Sequence, residues 1–177
     1  TITTIEQTQQ SSETNPAKLT ATQAQRLFNS LLFPEAVTLY EELTLVDEQI
    51  AMTVKRNWLE QLKTWLKNND LAPVEGFNEA FLARFPYDLA FLEIKAEALV
   101  ASERKEDAIE LYYSLISYTF ETRQEEYFQA RIRHLAGELL NQFKQGQLWQ
   151  AIVELTQQLL QQESDYPPYI LAQAEAL

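Results

Sequence analysis

Residues 92–116 read LEIKAEALVASERKEDAIELYYSLI, two apolar-striped segments joined by a short polar break. Leu92, Ala96 and Leu99 stand four and three residues apart on the first segment, and Ala108, Tyr112 and Leu115 repeat those intervals on the second. Residues so spaced share one face of an α-helix, so each segment carries a single stripe to bury. The break VASERKED, residues 100–107, is polar and short, which predicts two antiparallel helices closed by a tight turn.

The pattern recurs along the chain. Trp58, Leu62 and Trp65 lie 34 residues before the first stripe, and Val74, Asn78 and Phe81 lie 34 residues before the second. Downstream, LWQAIVELTQQLL echoes KEDAIELYYSLI and pairs Ala151 with Ala108 at a separation of 43. The additional residues fit between about Tyr118 and Arg131, where the sequence predicts either an unusually long first helix or a loop followed by a helix. Gly146 then marks the next hairpin turn. Upstream, Ala24 and Leu27 form one stripe and Ala36, Tyr40 and Leu43 the next, with Pro34 acceptable in a first helical turn because no hydrogen bond is lost there. Ile170, Ala174 and Leu177 repeat Leu92, Ala96 and Leu99 at 78 residues, so the sequence ends on the first helix of a further unit. The expected units span about 19–46, 50–86, 87–118 and 124–164, with a partial unit at 166–177.

Composition agrees with an all-α domain. The 177 residues are 46% hydrophobic, with three glycines and six prolines, and the Ala, Leu, Glu, Gln and Lys content favours helix over hairpin strands. Residues 1–18, rich in Thr, Ser and Gln, are too apolar-poor to offset their ordering entropy and are expected to form a flexible tether. Tethers of this kind follow a cleaved signal or a membrane anchor, which points to a periplasmic or otherwise extracytoplasmic location. A formal charge of −12 repels phosphate backbones and anionic surfaces, so nucleic acid is not expected as a partner and a basic protein segment is. The chain contains no cysteine, which excludes disulfides, thiolate metal sites and cysteine nucleophiles. No apolar run approaches the roughly 20 residues of a membrane span, so no membrane insertion is expected.

The large-small-large pattern on each first helix, followed by small and large positions on each second helix, resembles the tetratricopeptide repeat over residues 19–177. The resemblance implies a TPR-like α-solenoid of about four hairpins plus a trailing helix, and Pro86 stands where that pattern places a helix-ending proline. The chain departs from the pattern at the small position of the first helix, where Ala24, Leu62, Ala96 and Leu139 replace the usual glycine. Another α-solenoid or an irregular helical bundle would also accommodate the spacing.

Catalytic apparatus is not apparent. The single histidine, His134, has no serine elbow or Gly-rich loop to accompany it, and His134 with Glu138 supplies only two groups on one helical face, short of a usual ligand set. The acidic groups Glu125-Glu126 and Glu103 with Glu106-Asp107 sit at predicted helix starts, where they complement the helix dipole. No cofactor or metal is expected. The resemblance instead implies a non-enzymatic interaction scaffold whose first helices line a binding wall. In carboxylate-capturing tetratricopeptide modules that wall carries Lys, Asn and Arg. Here Glu93 and Glu97 are acidic and Arg133 alone fits, so a basic partner is favoured over an acidic tail. Tyr113, Tyr118 and Phe128, around the insertion, are unexplained by the repeat and complete the candidate partner-binding set. Two further expectations attach to the end of the sequence: a catalytic domain beyond residue 177 that this segment regulates or targets, and self-association through an exposed face of the last helix.

Overall fold

A computed structural model describes residues 15–177, and within them every regular element is an α-helix. The expected tether lies outside the described residues except at its end. There the first helix begins at Pro16, earlier than the predicted boundary at residue 19, because the Asn15 side chain accepts a hydrogen bond from the Ala17 amide (2.9 Å) and a proline follows at the first helical position.

The chain divides into two compact units, one through Pro86 and one from Tyr87 to Leu177. In the first, α1 (Pro16–Asn29) packs on α2 (Phe33–Val46), and α3 (Glu48–Lys67) and α4 (Leu71–Arg84) form the next hairpin. α1 also meets α3, and α2 meets α4, so like helices of successive hairpins lie side by side. An aromatic cluster fills the space between them. Phe28 stacks on Trp58 at 5.3 Å between ring centroids, Phe77 meets both edge-on, and Phe33, Tyr40 and Phe81 close the set. Phe28, Trp58, Phe77 and Phe81 have no exposed surface, and each buried aromatic of this size contributes about 1.5–3 kcal/mol of transfer free energy.

The second unit contains α5 (Leu89–Ala101), α6 (Lys105–Tyr118), α7 (Thr122–Gln145), α8 (Trp149–Gln162) and α9 (Pro167–Ala176). α6 packs on both α5 and α7, and α8 on both α7 and α9. The insertion between Tyr118 and Arg131 takes the form of one continuous helix, α7, 24 residues long where α5 has 13. The small positions Ala24, Ala36, Ala96 and Ala108 are all fully buried, whereas Ala151 is only half-buried because α8 turns Ile152, Leu155, Thr156 and Leu159 inward instead.

Four connections share one backbone solution that sequence spacing did not reveal. Leu31, Asn69, Glu103 and Gln147 each adopt a left-handed conformation, with φ of 61°, 57°, 60° and 55°. In each turn the following residue's amide reaches back to a carbonyl five residues earlier: Leu32 to Leu27, Asp70 to Trp65, Arg104 to Leu99 and Leu148 to Phe143, at 2.8–2.9 Å. This is the Schellman closure of a helix C-terminus, used here four times without glycine at the left-handed position. Gly146, expected to break the last hairpin, has an ordinary φ of −80°, and the left-handed residue is its neighbour Gln147.

Candidate functional site

Within the second unit the six sequence-derived candidates separate into two groups and one isolated position. Glu97, on α5, accepts hydrogen bonds from Arg131 Nε (3.0 Å) and Nη2 (2.9 Å) on α7, and from the Tyr112 hydroxyl on α6. Arg131 lies one repeat interval beyond Glu97, and this fork joins three helices. Burial, followed by the Glu97 carboxylate, pushes the Tyr112 hydroxyl far above its ordinary pKa, so it remains a donor. Glu93 faces Tyr127, whose pKa burial also raises, with the Glu93 and Glu97 charges adding to the effect. Phe128, expected to present a partner surface, is instead 2% exposed and packs against Tyr112 and Tyr127. Its position about two turns into the long helix turns it toward the core, so it offers almost no contact area to a partner.

Tyr113 and Arg133 belong to the second group. Arg133 donates to both oxygens of Glu163, at 2.8 Å to Oε1 and 3.2 Å to Oε2, and its guanidinium lies 4.5 Å over the Tyr166 ring. Gln129 donates to the same carboxylate. Beside this cluster the hydroxyls of Tyr113 and Tyr169 are buried without a hydrogen-bond partner. Burial, with the nearby Glu163 charge, pushes the Tyr113 hydroxyl up to about 12, and burial raises Tyr169 as well. Tyr118 stands apart, exposed at the end of α6 and edge-on to Tyr87.

A cavity of about 230 Å³ opens between α6 and α8. α6 contributes Glu106, Ile109, Glu110 and Tyr113, and α8 contributes Leu155, Gln158, Leu159, Gln161 and Gln162. Apart from Gln161, each set follows the one-face intervals of a helix, so one face of α6 confronts one face of α8 across a gap. The length of α7 explains the gap. Its eleven extra residues over α5 add about 16 Å at 1.5 Å per residue. Lys105 at the start of α6 reaches Glu138 at 3.3 Å, and Glu163 just past α8 reaches Arg133. The two helices therefore overlap only beside the middle of α7, and the cavity lies where they overlap.

Electrostatically this groove is one-sided. Its lining holds two carboxylates and three glutamine amides and no basic side chain. The neighbouring cations are occupied elsewhere: Arg104 by Asp107 at 2.7 Å, Lys105 by Glu138, and Arg133 by Glu163. Glu106 and Glu110 have no ion pair among the described residues. The first unit carries a larger, more open groove of about 610 Å³ between α2 and α4, rimmed by Glu35, Glu79 and Arg84, but Arg84 is held by Glu41. No group of three or more metal-ligating side chains occurs among the described residues, and His134 meets only Glu138, at 3.4 Å on an exposed surface.

These elements define an all-α protein of antiparallel helical hairpins. Comparison with family models, curated proteins and solved structures gives no match to this chain.

Proposed function

We propose that this chain is a non-enzymatic interaction module of TPR-like type that holds a segment of another protein. The groove between α6 and α8 carries the reading, because it is lined by carboxylates and glutamine amides that have no hydrogen bond or ion pair to another side chain among the described residues. An extended segment could lay its side chains against the partly exposed ring of Tyr113 and direct its backbone groups to the glutamine amides. The recurring register and the four like turns support the TPR-like class, since stacked hairpins generate grooves between successive helices. Relative to the first-helix wall expected from the repeat, the binding surface moves to the second helices. Glu97 is occupied by Arg131 and Tyr112, and Phe128 is in the core.

Selection of a random peptide library against the immobilised chain of residues 1–177 tests the reading. Enriched peptides should titrate saturably, one per chain, and shift backbone amide resonances on α6 and α8. A library that yields no saturable binder at millimolar peptide would refute the module.

A further inference from the structure

From the first unit we infer that a second copy of this chain binds head to tail, with the outward side of α1 and α3 in one molecule seated on the groove between α2 and α4 in the next. This contact is separate from the groove between α6 and α8 and does not depend on the reading given for it.

Charge in the first unit is sorted by layer. α1 and α3, which lie side by side, hold six basic and two acidic side chains, a net +4. α2 and α4 hold one basic and five acidic side chains, a net −4. Lys18, Arg26, Arg56 and Lys67, which have no ion pair among the described residues, all belong to the basic layer. On α3, Met52, Arg56, Lys63 and Lys67 follow at intervals of four, seven and four, so they share one face, as Leu19 and Arg26 do on α1. All six are exposed, opposite the faces that bury Ala24, Phe28, Trp58 and Leu62.

The groove supplies the other half. Glu35 and Glu79 stand on its two walls without an ion pair among the described residues, and Glu42 is exposed seven residues further along the face of α2 that carries Glu35. Between the walls, Pro34, Gly76, Ala80 and Ala83 are small and half-buried or exposed, so the volume of about 610 Å³ is open to side chains of a neighbour. Met52 and Leu19, each more than half exposed, are the apolar members of the outward stripes, and an unbranched methionine fits an irregular gap. Arg56 and Lys63 are about 10 Å apart along α3 at 1.5 Å per residue, the interval that also separates Glu35 from Glu42 along α2.

The occupant is a second copy because each molecule carries both surfaces, equal in net charge and opposite in sign. Residues 15–86 hold seven basic and nine acidic side chains, so their charges are separated more than they are in excess. Two different patches make a heterologous contact, which leaves one free face at each end and lets further copies add.

Sedimentation of residues 1–177 from about 10 μM to about 1 mM, which reaches weak association, tests the contact. It is run at about 0.1 M and about 1 M salt, between which the screening length falls from about 10 Å to about 3 Å. At the lower salt the mean mass should rise with concentration past that of a dimer, and at the higher salt the association constant should fall about ten-fold or more. The double variants R56Q/K67Q and E35Q/E79Q, each with an unchanged circular dichroism spectrum, should stay monomeric alone. Mixed in equal amounts they should form a one-to-one complex that grows no further, because each keeps a different intact face. A chain that stays monomeric throughout would overturn the head-to-tail contact, as would association that survives either double variant, or a mixture that remains monomeric. A monomer that captures a poly-glutamate peptide through Arg56 and Lys67 would assign the basic layer to another, acidic protein and overturn the second copy as its occupant.

Discussion

At the scale of single residues, the second unit is organised around two acceptors, Glu97 and Glu163, each of which gathers an arginine and a second donor from different helices. Arg131 and Glu97 are about three-quarters and two-thirds buried at their side chains, so removing one strands the other in a partly desolvated place. Glu97→Ala should therefore cost about 1–3 kcal/mol, the penalty of leaving buried polar groups unpaired, measured by urea unfolding. Arg131→Met in the same background should cost little more, and additive losses in that double-mutant cycle would show that the fork is not one unit. The tyrosines set an alkaline limit. A tyrosine whose folded pKa exceeds its unfolded value contributes stability that is whole below about pH 10. That contribution falls as pH rises toward the folded value, here about 12 for Tyr113. Stability should thus be flat to about pH 10 and decline above it, with Tyr113→Phe shallowing the decline; an identical alkaline limb in the variant would count against the buried hydroxyl. None of these pairings could be read from spacing alone. Glu97 and Arg131 are 34 residues apart, but only the meeting of α5, α6 and α7 decides that they pair, and Phe128 drew notice because it was unassigned, not because it was exposed.

At the scale of elements, the hairpins were legible because buried stripes impose a period, whereas turns had no such signal. Leu31, Glu103 and Gln147 are not residues that usually mark a left-handed position, and Gly146 drew attention one place too early. A non-glycine residue there costs roughly 1–2 kcal/mol, partly recovered by its lower unfolded-state entropy than that of glycine. Gln147→Gly and Leu31→Gly should each stabilise by about 0.5–1 kcal/mol, while Asn69→Gly should do less, because asparagine tolerates this conformation. Thermal melts that rank the three in the opposite order would contradict the shared turn geometry. A complementary case lies inside α7. Gly137 sits in mid-helix, a Cβ built there meets nothing within 4 Å, and its φ is not in the left-handed region. Gly137→Ala should raise stability by about 1 kcal/mol, or about 2–4 °C in melting temperature, since alanine orders a helix at lower entropic cost. The same helix shows where the sequence was informative but incomplete. The interval of 43 between Ala108 and Ala151 required extra residues in the right place, yet spacing could not distinguish a long helix from a loop. That α7 is continuous is what creates the groove.

At the scale of the whole molecule, the 34-residue register suggested one uninterrupted array, while the chain forms two compact units that meet at Pro86 and Tyr87 in the sequence. Periodicity could not expose that division, because every hairpin carries the same kind of stripe whichever neighbour buries it. Each unit has its own core. In the first it is the aromatic cluster around Phe28, Trp58 and Phe77; in the second it is a more aliphatic set of Ile94, Leu115, Ile132, Leu135 and Ile152 joined by Tyr112 and Phe128. A chain of about 90 residues exceeds the 55–65 residues at which many domains already fold alone, so a fragment of residues 87–177 should fold by itself. It should give a helical circular dichroism spectrum and a single cooperative melt, and it should keep the Glu97–Arg131 and Glu163–Arg133 pairs, all of whose members it contains. Because the whole lining of the α6–α8 groove also lies within it, the fragment should bind the library-selected peptides as residues 1–177 do. A fragment that melts without cooperativity would mean that the second core depends on the first, whereas a well-folded fragment without binding would place the site elsewhere.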